Sequence, residues 1–405
     1  MIQLSQEITK VKGGVTSPKG FEAKGVHCGL RYSKKDLGAI ISETPAASAA
    51  VYTQSHFQAA PLKVTQDSFK KGAVLQAVIV NSAIANACTG DQGLQDAYQM
   101  RESFAGLLGI EPELVAVSST GVIGELLDMK KIQTGIELLN AAPAVSGAFE
   151  EAILTTDTVI KQTCYELMIG GQKITIGGAA KGSGMIHPNM ATMLGFVTTD
   201  AAVEEQALQK ALREVTDVSF NQITVDGETS TNDMVLVMAN GCAGNECLTE
   251  QHPDWPVFKK GLKLACEDLA KEIARDGEGA TKLIEAQVEG AKNNLEANVI
   301  AKKIVGSSLV KTAVYGTDAN WGRIIGAIGH SAASVTAERV EVFLGGQCLF
   351  RNNEPQPFSE TDAKEYLTGG EIVIAVRLHE GDGRGRAWGC DLTYDYIKIN
   401  ASYRT

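Results

Sequence analysis

The sequence predicts a layered α/β fold of the α+β kind, with strands and helices mixed through both halves of the chain. Three observations carry this. Short β-branched apolar runs read as buried strands, and longer segments with apolar residues at helical spacing read as amphipathic helices. Aromatic residues are only 6% of the chain while glycines number 42, so Ala, Val, Ile and Leu must build the core, with many tight turns. A chain of 405 residues, 44% of them hydrophobic, is long enough to bury a large interior.

In chain order, "AVLQAVIVN" (Ala73–Asn81) reads as a buried strand. "GLQDAYQMRESFAGLLG" then places Leu94, Ala97, Tyr98, Phe104 and Leu108 on one helical face. "LVAV" (Leu114–Val117) is a second strand. "VEEQALQKALREV" is a helix carried by Val203, Ala207, Leu208, Ala211, Leu212 and Val215. "MVLVMA" (Met234–Ala239) is a continuous apolar strand. "FKKGLKLACEDLAKEIAR" repeats the helical spacing through Phe258, Leu262, Ala265, Leu269 and Ile273. "NECLTEQHPDWP" (Asn245–Pro256) reads as an irregular loop. No low-complexity linker or solenoid-period repeat occurs, so composition marks no sharp domain boundary.

Composition also narrows the function. A net charge of −11, without a basic run, argues against general nucleic-acid binding. The first twenty residues lack the apolar stretch of a secretory signal, and no apolar run approaches the roughly 20 residues of a membrane span. Eight cysteines are scattered without a CxxC, as expected of reduced thiols. The expectation is a cytoplasmic protein with no membrane or nucleic-acid partner.

Several segments rich in small residues combine hydroxyls and charges and read as loops, where binding groups are often displayed. They are "NSAIANACTG" (Asn81–Gly90), "SSTGVIG" (Ser118–Gly124), "LTTDT" (Leu154–Thr158), "KGSGMIHPNMATM" (Lys181–Met193), "ITVDGETSTND" (Ile223–Asp233), "RDGEGATK" (Arg275–Lys282), "GTDANWGR" (Gly316–Arg323) and "INASYRT" (Ile399–Thr405). Each alone also fits a simple turn. "GGAAKGSG" lacks the spacing of a phosphate loop, and "DGETSTND" lacks that of a calcium loop. The six histidines are isolated, so no metal pair forms, and His187 beside Pro188 reads as a turn residue. No Gly-x-Ser-x-Gly elbow supports a serine hydrolase.

A further nucleophile is Thr192. An internal threonine has no base of its own, whereas a chain-terminal threonine carries an α-amine with a pKa of about 7.7–8.0. Thr192 therefore gains a base only if the Ala191–Thr192 bond is cut. Spacing alone leaves both a turn and a nucleophile open here.

The stretch "KGSGMIHPNMATML" resembles the self-cleavage segment of the ornithine acetyltransferase family. "NACTG", "SSTGVIG", "TTDT", "FNQITVDGETSTND", "RDGEGATK", "NWGRI", "WGCDLTYDY" and "INASYRT" resemble further family segments in the family's order, from Asn81 to Thr405. The resemblance implies a layered fold shared with self-processing aminopeptidases, built on N-terminal-nucleophile logic. It implies self-cleavage into an α chain of residues 1–191 and a β chain of 192–405, folded as one unit and assembled as α2β2. The implied activity is transfer of acetyl from N2-acetylornithine to glutamate through acetyl-Thr192, yielding ornithine and N-acetylglutamate.

By the same resemblance, Thr120 and Gly121 supply the oxyanion hole. Thr155, Lys181, Thr192, Glu278, Asn400 and Thr405 contact substrate. No cofactor or metal is implied; acetyl-CoA is a co-substrate in some family members, and no residue decides that use here. Two other readings remain at this level: a self-processing amidohydrolase or aminopeptidase with the same threonine, and a silent amino-acid-binding relative with an uncut chain.

Overall fold

A computed structural model describes residues 8–187 and 193–402. Strands and helices are organised on two sheets, as the sequence patterns require. Among the described residues the first sheet has nine strands. Their order is Thr9–Val11, Lys161–Ile169, Gln172–Lys181, Leu194–Thr199, Met234–Ala239, Leu37–Tyr52, Val74–Ile84 and Val115–Val122, with Phe21–Val26 paired to Leu37–Tyr52. The second sheet has seven, in the order Glu354–Pro355, Gln347–Arg351, Glu341–Leu344, Glu371–Arg377, Leu283–Ala291, Gly383–Cys390 and Ile223–Thr224.

"MVLVMA" is apolar throughout because Met234–Ala239 lies inside the first sheet with both faces covered, and every residue of it is buried. On one face, Leu208, Leu212 and Val215 of helix Glu205–Asp217 join Phe258, Leu262, Leu269 and Ile273 of helix Trp255–Arg275. They pack on Val51, Leu167, Ile176, Val197 and Val235. Trp388, Cys390 and Leu283 of the second sheet enter the same cluster, so helix Trp255–Arg275 is sandwiched between the sheets. Helices Asn294–Gly306, Ser308–Tyr315 and Trp321–Gly329 cover the second sheet's other face. Helices Gly90–Leu108 and Met129–Ala141 pack on Ala77, Ile79, Val115 and Val117 of the first sheet.

Strand Val115–Val122 is an edge, and its unpaired backbone groups need partners. Helix Ala60–Lys71 supplies two of them. The Thr65 hydroxyl donates to the Val117 carbonyl at 2.7 Å and accepts from its N–H at 2.8 Å; Ser68 Oγ donates to the Val115 carbonyl at 3.0 Å. Farther along, Asn232 Nδ2 donates to the Ser119 carbonyl at 2.8 Å and to the Ala85 carbonyl at 2.6 Å.

A second local arrangement organises the centre. Strand Gln172–Lys181 runs antiparallel to Leu194–Thr199 with Lys181 opposite Leu194. Leu194 in turn pairs with Met234, whose N–H donates to the Met193 carbonyl at 3.0 Å. The segment between Lys181 and Leu194 is therefore a hairpin connection whose two ends are fixed in one sheet.

Three expectations change in detail. "SSTGVIG" is not a loop: Ser118–Val122 continue the edge strand, because the ladder with Val74–Ile84 runs on to Ile84 and Val122. Ile399–Ser402 complete helix Tyr394–Ser402 rather than forming a loop. Trp255 and Pro256 open the helix placed from Phe258, with proline in its first turn where no donor is lost. Among the described residues no helix is long and apolar enough to cross a membrane.

Phe258 is fully buried between helix and sheet. Truncation to alanine is expected to lower unfolding free energy by about 3–5 kcal/mol, read from the urea midpoint at unchanged m-value.

Candidate active site

The end of the edge strand, the hairpin connection and the C-terminal helix enclose a cavity of about 190 Å³. Its wall brings together Thr120, Gly121, Thr155, Lys181, Glu278 and Asn400, which are scattered over the sequence. Met193 and Leu194, the two residues after Thr192, also line it. Ala191, Thr192 and Thr405 lie outside the described residues.

Strand alternation sets what Thr120 and Gly121 present. Successive residues of a strand aim their backbone groups at opposite edges. Val115, Val117 and Ser119 use theirs toward Ser68, Thr65 and Asn232, on the side away from Val74–Ile84. The next residue in that series is Gly121, which lines the cavity. Glycine is needed there: φ is +132°, and a Cβ would lie 2.1 Å from the Ala83 carbonyl oxygen. The Thr120 hydroxyl reaches the cavity beside Lys181, whose Nζ donates to it at 3.4 Å.

Lys181 ends its strand almost wholly buried, at 7% exposure. Burial pushes its ammonium down from the ordinary lysine value. The Asp157, Asp233 and Glu278 carboxylates push it back up, while the Lys161 cation acts with burial. Asp157 feels burial in the opposite sense, yet the Lys181 and Lys161 cations more than offset it and hold its carboxyl well below the usual range. Asp157 Oδ2 accepts from the Thr155 N–H at 2.9 Å and fixes that loop. Arg31 grips the same loop, donating to the Leu154 carbonyl at 2.5 Å and the Thr155 carbonyl at 3.1 Å.

Glu278 enters from the loop after helix Trp255–Arg275 and is 8% exposed. Its Oε2 accepts from Asn400 Nδ2 at 2.8 Å. Gly184 makes room for it, since a Cβ there would come within 2.4–2.5 Å of the carboxylate atoms. Asp226 shapes the opposite side by accepting from the N–H groups of Met185 at 2.7 Å and Ile186 at 2.9 Å. Tyr396 hydrogen-bonds Asp226, and burial together with the Asp226 and Glu278 charges pushes its phenol up. Among the described lining residues, Lys181 is the single cation against Asp226, Glu228, Asp233 and Glu278.

His187 is more than a turn residue. Its Nδ1 lies 2.9 Å from Thr224 Oγ1, and burial with the nearby Lys302 and Lys303 charges pushes the ring down to about 4, against the pull of Asp226. The imidazole is therefore neutral at pH 7. Among the described residues no group of His, Cys, Asp and Glu is arranged to hold a metal ion, and all eight cysteines are free. Asp157, Lys161, Asp226, Asn232 and Tyr396 went unassigned from sequence; the closest signal was the pairing of Asp157 and Lys161 in "DTVIK".

A Gly121→Ala substitution forces both a strained backbone and a clash with strand Val74–Ile84. The expected cost is at least about 1–3 kcal/mol in chemical denaturation.

With the geometry established, comparison with known proteins identifies relatives. The ArgJ family matches residues 22–405. The "Arginine biosynthesis bifunctional protein ArgJ" of Bacillus subtilis is 85% identical over the whole of both chains. That of Geobacillus kaustophilus is 64% identical over 100% of this chain and 99% of its own. A crystal structure of the Bacillus halodurans protein of that name is 60% identical, with a TM-score of 0.52, matching 52% of this chain and 100% of its own. The family match spans nearly the whole chain and the identities extend end to end: the chain belongs to the ArgJ family.

Proposed function

We propose that this chain is an acyltransferase of arginine biosynthesis that moves acetyl from N2-acetylornithine to glutamate, using Thr192 as a self-generated terminal nucleophile. One observation carries the reading. Six residues expected to bind substrate or stabilise an oxyanion line one cavity, and that cavity is walled by the two residues that follow Thr192. The relatives' printed name places them in arginine biosynthesis and supports the pathway. Its word "bifunctional" supports a second acetyl donor, which we assign to acetyl-CoA.

In this reading the Thr192 hydroxyl first attacks the Ala191 carbonyl. The peptide nitrogen leaves as the new α-amine of Thr192, and water opens the resulting ester. Residues 1–191 and 192–405 stay together because Lys181 and Leu194, on either side of the cut, pair in one sheet. The Bacillus halodurans crystal chain is matched over all of its length by 52% of this one, the share expected of a chain cut near its midpoint. We assign the α2β2 assembly on the family resemblance.

For transfer, the Thr192 amine takes the hydroxyl proton as the oxygen attacks the acetyl carbonyl. The tetrahedral oxyanion faces the Gly121 N–H and the Thr120 hydroxyl; one such donor is worth about 2.7–4 kcal/mol in a barrier. The oxyanion collapses with departure of the ornithine amine, which takes up the proton, and leaves acetyl-Thr192. The amine of glutamate then attacks the ester, N-acetylglutamate departs, and the threonine hydroxyl recovers its proton. Lys181 holds the α-carboxylate of either amino acid, and Thr155 supplies a neutral hydrogen bond. Glu278, steadied by Asn400, receives the ornithine ammonium among the other wall carboxylates, and Thr405 is assigned to that end too. A glutamate side chain meets the same carboxylates, and a water between them or a turned Glu278 side chain relieves that repulsion when glutamate binds.

Purified protein is expected to show two chains whose intact masses correspond to 1–191 and 192–405, and a Thr192→Ala variant to stay full length and inactive. N2-acetylornithine should yield N-acetylglutamate only when glutamate is supplied. Release of free acetate at the same rate without glutamate would identify a hydrolase instead, and an active, uncut Thr192→Ala variant would remove the nucleophile from the account.

A further inference from the structure

Thr155, Lys181 and Glu278 come from three distant stretches of chain, and the reaction needs their polar atoms at fixed separations. One buried side chain ties those stretches together. Lys161 has no exposed side-chain surface, and its Nζ donates to Asp157 Oδ1 at 2.7 Å and Asp276 Oδ2 at 2.6 Å. Asp157 also accepts from the Thr155 N–H at 2.9 Å and from the Gly182 N–H, next to Lys181, at 2.7 Å. On the other side, the Asp276 carbonyl accepts from Ser183 Oγ at 2.6 Å, and the Ser183 carbonyl accepts from the Glu278 N–H at 3.0 Å. None of Asp157, Lys161 and Asp276 lines the cavity.

Stability alone is a poor reason for such a group. Burying three charges costs desolvation that their mutual attraction often only matches, and apolar residues of similar volume commonly serve as well. What apolar residues lack is direction: the two Asp157 oxygens accept from the N–H groups of Thr155 and Gly182, and Asp276 Oδ2 accepts from the N–H of Thr158 at 3.0 Å, in the loop that carries Thr155. The group also sets the charge environment of Lys181, which faces Asp157, Asp233 and Glu278 against Lys161.

We propose that Asp157, Lys161 and Asp276 are positioning residues for acetyl transfer, with Asp157 serving in addition as the counter-ion of the Lys181 ammonium. The inference rests on the reading of Lys181 as the contact for the substrate carboxylate. Removing the Asp157 charge makes Lys181 lose its proton at lower pH. Removing the Lys161 charge makes Lys181 keep its proton to higher pH.

The test follows the extent of Lys181 carbamylation by cyanate against pH in the full chain, by peptide mass spectrometry, with exposed Lys364 as internal control. This readout needs no catalysis. Asp157→Asn should lower the Lys181 midpoint by about one to three pH units. Lys161→Met should raise it, and carries the test if the first variant does not fold. Lys364 should not move. In parallel, the alkaline limb of kcat/KM for N2-acetylornithine should follow the Lys181 midpoint, through KM more than kcat. Unmoved Lys181 midpoints, or activity that falls uniformly at every pH, would overturn the positioning role. Shifted midpoints in the variants, with a wild-type protein that transfers no acetyl, would instead uphold the ion group and sink the proposed reaction.

Discussion

Antiparallel pairing of Lys181 with Leu194 is the constraint on which the site depends. It holds both ends of one hairpin connection in the middle of a nine-stranded sheet, one flanked by strand Lys161–Ile169 and the other by Met234–Ala239. A break within that connection leaves each end anchored by its own ladder. A new chain end can therefore form at the wall of a cavity without loss of the fold. The same pairing buries Lys181 and brings Met193 and Leu194 to the cavity that Thr120 and Gly121 also line.

Polar groups were placed around that hairpin by satisfying the backbone first. The edge strand that carries Thr120 and Gly121 is closed by Thr65, Ser68 and Asn232, and Gly121 follows them in the strand at the cavity wall. Two carboxylates do the same for the loops: buried Asp157 fixes Thr155 and Gly182, and half-buried Asp226 fixes Met185 and Ile186. An unmet buried N–H costs about 1–3 kcal/mol, so each of these bonds removes an alternative loop conformation as well as filling a valence. Preorganised donors of this kind are what a tetrahedral oxyanion requires.

Much of this was legible in the chain. "MVLVMA" could only be a strand covered on both faces, and the spacing of Phe258, Leu262, Leu269 and Ile273 could only be a helix with one apolar stripe. The family motifs named Thr120, Gly121, Thr155, Lys181, Glu278 and Asn400, and the fold collects all six. Sequence could not distinguish a strand end from a loop in "SSTGVIG", because hydroxyls suited to a turn here meet side chains of other strands: Ser119 Oγ donates to Asn81 Oδ1, and Thr120 Oγ1 accepts from Lys181 Nζ. "DTVIK" and "RDGEGATK" hold Lys161 and Asp276, but the pairing of the two left no signal, since charges far apart in sequence reveal a buried pair only once the elements that carry them meet. For His187 the proline neighbour suggests a turn residue, and sequence could not show its contact with Thr224 or the charge of Lys302, which come from other elements.

The central claim is that acetyl rests on Thr192 at a chain terminus. It is tested by incubating the protein with N2-acetylornithine alone, quenching in acid, digesting, and locating the added acetyl mass. The account predicts acetyl on the peptide that begins at Thr192, and its disappearance as N-acetylglutamate forms when glutamate is added. Acetyl transfer by protein whose active form yields a peptide running unbroken through Ala191–Thr192, or whose Thr192 peptide never carries acetyl, would contradict it.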